Sequence, residues 1–283
     1  MNQRSRGALV DGLPARQGAL ARARRRAKRL AVSRPEIEEA QLEARLLAHP
    51  GVTRANVVAF MSPAGGVGKT TCAFAAGTVL AGHLKLRTIA VDVGPGFGTL
   101  AQLVPERRRA ERGIEDLLAD VHRLFTAAEL GPYVSKTSTG LHVLAGNEHG
   151  LAPDDCAELL ALLSCFYEAI VLDLGAGVTG HTPTLVANRA DQIVLVTTPD
   201  RMASTGTLDA RAHIRHPERI TVAINRSARD ASGEDRPYRA VAIPDDHQLA
   251  AMLASRTYSL GAASHPTRTA IKRLGLAVAE QLV

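Results

Sequence analysis

An α/β fold with a doubly wound, mostly parallel sheet is predicted for this chain on three observations. Seven apolar runs of β character are continuous rather than alternating, the pattern of strands buried on both faces. Helical patterns fall between them, as parallel crossovers require. The first run leads directly into a glycine-rich turn and a helix, which places any ligand at the carboxyl ends of the strands.

The strands expected are NVVAFM (56–61), RTIAVDV (87–93), LHVLAG (141–146), AIVLDL (169–174), QIVLVTT (192–198), ITVAIN (220–225) and RAVAIP (239–244). Helices are expected at 69–82, 114–121, 155–166, 201–213 and 266–281. With 283 residues, 46% of them hydrophobic, the chain suffices for one large domain and an appendage, and a second full domain is not expected. We divide it into an N-terminal extension, 1–50, partly helical or disordered, and a nucleotide-binding domain, 51–283.

The extension concentrates the positive charge. Residues 1–34 carry nine arginines and Lys28 against Asp11, which leaves the remainder net acidic although the whole chain is +6. Leu20, Ala23, Ala27 and Leu30 recur at helical spacing among arginines, so a basic helix can form there on a supporting surface. A run such as RARRRAKR attracts phosphate polyanions, and non-specific DNA binding is the first reading. An anionic membrane surface, a protein partner and an inert extension stay open beside it. An aromatic content of 3%, with no tryptophan, argues against base-stacking platforms.

Other classes are disfavoured. No run of eighteen apolar residues occurs, and no apolar segment follows the arginine-rich N-terminus, so neither a membrane span nor a secretory signal is expected and a cytoplasmic location is, with nucleoid association as an open alternative within it. Cys72, Cys156 and Cys165 lack metal or disulfide spacing and read as reduced thiols. His142, His149 and His181 lack helical metal spacing and read as structural.

The chemistry lies in SPAGGVGKTTC (62–72). Its strand–loop–helix context is that of a phosphate cradle, although Pro63 stands where the common loop pattern has its first glycine. Gly65, Gly66, Val67 and Gly68 bring backbone amides toward an anion, and the helix N-terminus adds partial positive charge. Lys69 reaches the β and γ phosphates, the Thr70 hydroxyl is placed for Mg²⁺, and Thr71 completes the motif. Asp92 and Asp173 each end an apolar strand beside this loop, where a carboxylate is a metal-site candidate.

Over about Ala55–Val283 the chain resembles the deviant Walker A ATPases of the ParA/MinD type, whose loop reads K-G-G-x-G-K-[ST]. TIAVDVGPGFGTL resembles their second motif, AIVLDLGAG their Walker B strand, and VTTPDRMASTGTLDA, VAIN and AIPDD follow in the family's order. The resemblance implies ATP and Mg²⁺ as ligands, Asp173 holding a water on the metal, Asp92 near the metal and γ-phosphate, and contacts to adenine from Asn225 and from the backbone after Pro244, at Asp245. It also implies an ATP-dependent homodimer and, in ParA-like members, DNA binding.

Two departures bear on activity. Ala64 replaces the lysine that crosses the family's dimer onto the partner's phosphates, and Gly94 replaces the second acid of D-x-D, associated with positioning the attacking water. Phosphoryl transfer depends on positioning and charge neutralisation, and a cation supplied in trans is worth about 10³–10⁵ in rate. Binding is therefore expected to persist and hydrolysis to be poor. The expected function is an ATP-binding switch that positions or partitions DNA or a protein cargo. Its competitor is a non-hydrolysing scaffold or regulatory subunit of a secretion or chromosome-associated complex; a metallocluster relative lacks its C-x-x-C. ERRRAER (106–112) stands as a solvated face or as the source of a substitute arginine. Arg268, Lys272 and Arg273 on the last helix stand either as a second basic strip or as plain solvent-facing side chains. The MinD-type membrane reading is weakened because the chain stops at AVAEQLV, where those proteins attach through an amphipathic extension.

Overall fold

A computed structural model describes residues 34–95, 99–199, 210–211, 214, 216–228 and 238–283. The chain divides into a unit of Met1–Ala40 and one of Gln41–Val283. In the first, the described residues 34–40 are helical.

The second unit is built on an eight-stranded sheet of order β3-β4-β2-β5-β1-β6-β7-β8. Its strands are β1 (Asn56–Met61), β2 (Thr88–Asp92), β3 (Val134–Lys136), β4 (His142–Leu144), β5 (Ala169–Asp173), β6 (Gln192–Thr197), β7 (Ile220–Ser227) and β8 (Arg239–Pro244). Every pairing is parallel except β3 with β4. The predicted doubly wound α/β class is thus the observed one. β1 lies between β5 and β6, so connections diverge to both sides of its carboxyl end, which opens the crevice where such sheets take ligands.

The continuous apolar runs are explained by two core layers. Val57, Ala59 and Met61 of β1 face one layer, with Ile89, Val91, Ile170 and Leu172 of the neighbouring strands. Helices α3 (Ile114–Ala119), α4 (Pro153–Ser164) and α5 (His181–Arg189) cover it through Leu117, Leu159, Leu163 and Val186. The alternate residues Val58 and Phe60 face the other layer, closed by α2 (Lys69–Gly82) and α7 (His265–Ala279) through Ala73, Leu80, Leu274 and Val278. A third cluster outside these joins Leu42 and Leu46 of α1 (Arg34–Leu47) to Val79, Ile271 and Leu249, the last on α6 (His247–Ala254).

The helix expected at 69–82 has those bounds, and those at 114, 155 and 266 are displaced by three residues or fewer. The helix expected at 201–213 and the basic segment at 20–30 lie outside the described residues. The last helix corrects one expectation. Lys272 does not face solvent: its side chain is 4% exposed and its ammonium pairs with Glu43 of α1. Arg268 donates to the Ala263 carbonyl, and Arg273 is also engaged. The exposed basic strip reduces to a packed face, because α7 lies between the sheet and α1. Among the described residues no helix is long and apolar enough to cross a membrane.

Candidate phosphate-binding site

The loop Ser62–Gly68 leaves the carboxyl end of β1 and turns into α2. Gly68 occupies the N-cap of that helix at φ +88°, a left-handed conformation costly for residues with a side chain. A Cβ there would also strike the Asn225 amide nitrogen, which donates to the Val67 carbonyl at 2.8 Å. Asn225, at the end of β7, therefore clamps the loop. Val67 turns its side chain into the core, while Gly65 and Gly66 present exposed backbone. Ala64 packs against the α2-side core, and its amide donates to the Ser62 hydroxyl oxygen at 3.2 Å. Thr70 and Thr71 follow in the first turn of α2, half-buried.

Three strand ends meet beside this loop. Asp173 of β5 stands in register with Phe60 of β1 on one side and with Asp92 of β2 on the other. The Lys69 ammonium donates to Asp173 Oδ1 at 2.8 Å, with Asp173 2% and Lys69 13% exposed. Two carboxylates side by side in a buried place repel. Burial first, and the Asp173 charge second, push the Asp92 carboxyl up to about 6, against donation from the Leu100 amide at 3.4 Å and the Thr99 hydroxyl at 3.5 Å. Hard oxygen donors in this arrangement suit Mg²⁺, which takes one or two carboxylates and completes its shell with water and substrate phosphates. Asp173, Asp92 and the Thr70 hydroxyl supply such donors. Among the described residues no three His, Cys, Asp or Glu side chains are placed to hold a metal ion together.

Beyond β2 the backbone runs against the segment after β5. Both Val93 and Gly94 amides donate to the Asp173 carbonyl, at 2.9 and 3.3 Å. A Cβ on Gly94 would lie 2.6 Å from Gly175 Cα and closer still to its nitrogen, so no side chain fits there in this arrangement. The Gly177 amide donates to the Ser62 carbonyl at 2.9 Å, tying the same segment to the cradle.

The structure thus gathers Gly65, Gly66, Val67, Gly68, Lys69, Thr70, Asp92, Asp173 and Asn225 at one edge of the sheet. Pro244 ends β8, and Asp245 is exposed next to it. The neighbouring Asp246 was passed over: it caps α6 through the Gln248 and Leu249 amides and accepts from Ser264. Its place one residue before a helical run was the available signal. Also unanticipated were the Lys69–Asp173 pair and the Asn225 clamp, since contacts between distant segments leave no local pattern. Arg109 donates to the Val104 and Gln102 carbonyls, and Arg112 binds Asp120 and Tyr133, so both are engaged away from the loop.

This architecture is the ParA/MinD-type P-loop ATPase fold. A ParA family ATPase from Chlorobium tepidum superposes with a TM-score of 0.65 at 23% identity, over 77% of this chain and 98% of that one. The septum site-determining protein MinD from Pyrococcus horikoshii, complexed with Mg-ADP, gives 0.57 at 17% identity, over 78% and 94%. In sequence, the chain is similar to the ESX-1 secretion-associated protein EspI of Mycobacterium tuberculosis, 27% identical over 245 residues and 78% of this chain. It spans about a third, 36%, of that relative's length. No protein-family model matches the chain.

Proposed function

We propose that the chain is a nucleotide-dependent switch that binds ATP with magnesium at Gly65–Thr71 and hydrolyses it slowly or not at all. The observation that carries the reading is the Lys69–Asp173 pair beneath the glycine loop, next to a Gly94 that the Gly175 backbone walls in. Lys69, paired with Asp173 in the free protein, would hold the phosphates, and Asp173, Asp92 and Thr70 would hold the magnesium ion. Bound magnesium would neutralise charge on the β and γ phosphates. Asn225, Pro244 and Asp245 line the direction in which the base would lie. The Mg-ADP in the similarly folded MinD structure supports the choice of ligand.

The nucleotide-bound form pairs with a second copy, and the switch positions DNA, through residues 1–34, or a protein cargo in the cytoplasm. With Ala64 in place of a cation reaching across, and no acid at 94, chemistry is the weakened step. Steady-state phosphate release, blanked against Lys69→Ala, tests this. Turnover near roughly 1 per second, an ordinary enzymatic rate, would defeat it.

The similarity to EspI favours a second reading, a regulatory subunit of a secretion-associated assembly in which nucleotide is purely structural. Release indistinguishable from the Lys69→Ala blank, combined with tight ATP retention, selects that reading. DNA retention that falls steeply with salt and vanishes on deleting residues 1–34 selects the partition role.

A further inference from the structure

In the arginine run at 106–112, Arg107 and Arg108 are both exposed. Arg107 and Arg108 form the common wall of two adjoining cavities, of about 590 and 620 Å³, volumes typical of small-molecule sites. Both lie beyond the phosphate loop, which lines neither.

The first cavity is cationic. Besides Arg107 and Arg108 it is lined by Arg109 and Lys136, with Glu111 the acid among its lining residues. Arg109 is fixed by the Val104 and Gln102 carbonyls, which orient its guanidinium without neutralising it. Arg107, Arg108 and Lys136 are exposed and form no ion pair among the described residues. Arg112 also lines this cavity, but Asp120 compensates its charge. Several guanidinium groups converging on one recess suit phosphate, which they bind by paired hydrogen bonds.

The second cavity has a different lining. The hydroxyl residues Ser138, Thr139 and Thr257 surround it, with Phe74 as an apolar surface and Tyr258 edge-on to that ring at 5.2 Å.

We propose that these cavities are one binding site for a small soluble phosphate ester, its phosphate held by Arg107, Arg108, Arg109 and Lys136, its hydroxyl-bearing body lying against Ser138, Thr139 and Thr257. Phe74 and Thr78 belong to α2, whose first turn carries Lys69, so occupancy here bears on the helix that ends at the phosphate loop.

The test uses the full chain carrying Lys69→Gln and Asp173→Asn, a neutral pair that disables the loop without stranding a buried charge. Calorimetric titrations use inorganic pyrophosphate and ribose 5-phosphate at fixed salt. Both bind, and adding Arg107→Ala and Arg108→Ala weakens both about tenfold or more, as loss of charge-assisted hydrogen bonds requires. Ser138→Ala with Thr257→Ala weakens ribose 5-phosphate several-fold and leaves pyrophosphate unchanged. The same arginine substitutions, exposed and therefore tolerated by the fold, leave ATP binding by the otherwise unaltered chain intact. No pyrophosphate binding in the disabled-loop protein, or binding indifferent to Arg107 and Arg108, overturns the site. An equal effect of Ser138→Ala with Thr257→Ala on both probes overturns the assignment of the second cavity.

Discussion

Gly94 is held by geometry, with Gly175 main-chain atoms where a side chain would begin. Introducing aspartate there does not recreate a hydrolytic acid; it forces β2 and the segment after β5 apart. Gly94→Asp is expected to cost about 2–4 kcal/mol, as overpacking against backbone does, without raising phosphate release. Urea unfolding and the release assay together check it, and a stable, faster variant would show that the backbone yields. The Lys69–Asp173 pair makes a second expectation at this scale. Lys69→Ala strands a carboxylate that is 2% exposed and should cost about 3–5 kcal/mol, whereas Lys69→Gln with Asp173→Asn recovers much of it. Asp92 gives the pH dependence. Its folded pKa of about 6 exceeds its ordinary value of 3.8, so the native state binds the extra proton between those values. The stabilisation this gives is complete below the lower value and is lost as pH rises through the higher one, on the order of 3 kcal/mol in all. Asp92→Asn is therefore expected to raise the melting temperature at pH 7.5 and to leave it nearly unchanged at pH 4; the reverse order would show that the Asp92 charge is welcomed in the free protein.

The elements that sequence reading found are those whose burial is two-sided or whose caps are local. Seven of the eight strands are continuous apolar runs, the clearest being those such as AIVLD whose residues are all buried. The missed strand, Val134–Lys136, is three residues long, antiparallel and at the sheet edge, too short to show a period. Helix α5 begins HTP and has Val186 as its fully buried residue, so no apolar stripe announces it. The last helix was located correctly, but Lys272 was assigned to solvent because no pattern within α7 reveals that α1 covers it. Half of the site was legible for the same reason: the loop and the strand-end acids are local motifs, while the Asn225 clamp joins residues 158 apart in sequence. At α6, the Asp246 carboxylate caps the helix and accepts from the Ser264 hydroxyl, and these hydrogen bonds hold its pKa below the ordinary range although burial opposes them. Asp246→Ala should cost about 1–2 kcal/mol at neutral pH, and the deficit should shrink in acid as the native carboxylate is protonated. A deficit independent of pH would mean that packing, not charge, is what the residue contributes.

Across the whole molecule, a ParA/MinD-type sheet carries the glycine loop at the carboxyl end of its β1 strand, beside Asp92 and Asp173. In the proposed switch, retention of ligand and turnover are separable, with Ala64 and Gly94 weakening only the second and the basic N-terminal segment meeting a polyanion or a protein. The most direct measurement is a calorimetric titration of the purified full chain with ATP and magnesium. Saturable one-to-one binding is expected, abolished by Lys69→Gln with Asp173→Asn. No heat of binding up to millimolar ATP would contradict the account at its root.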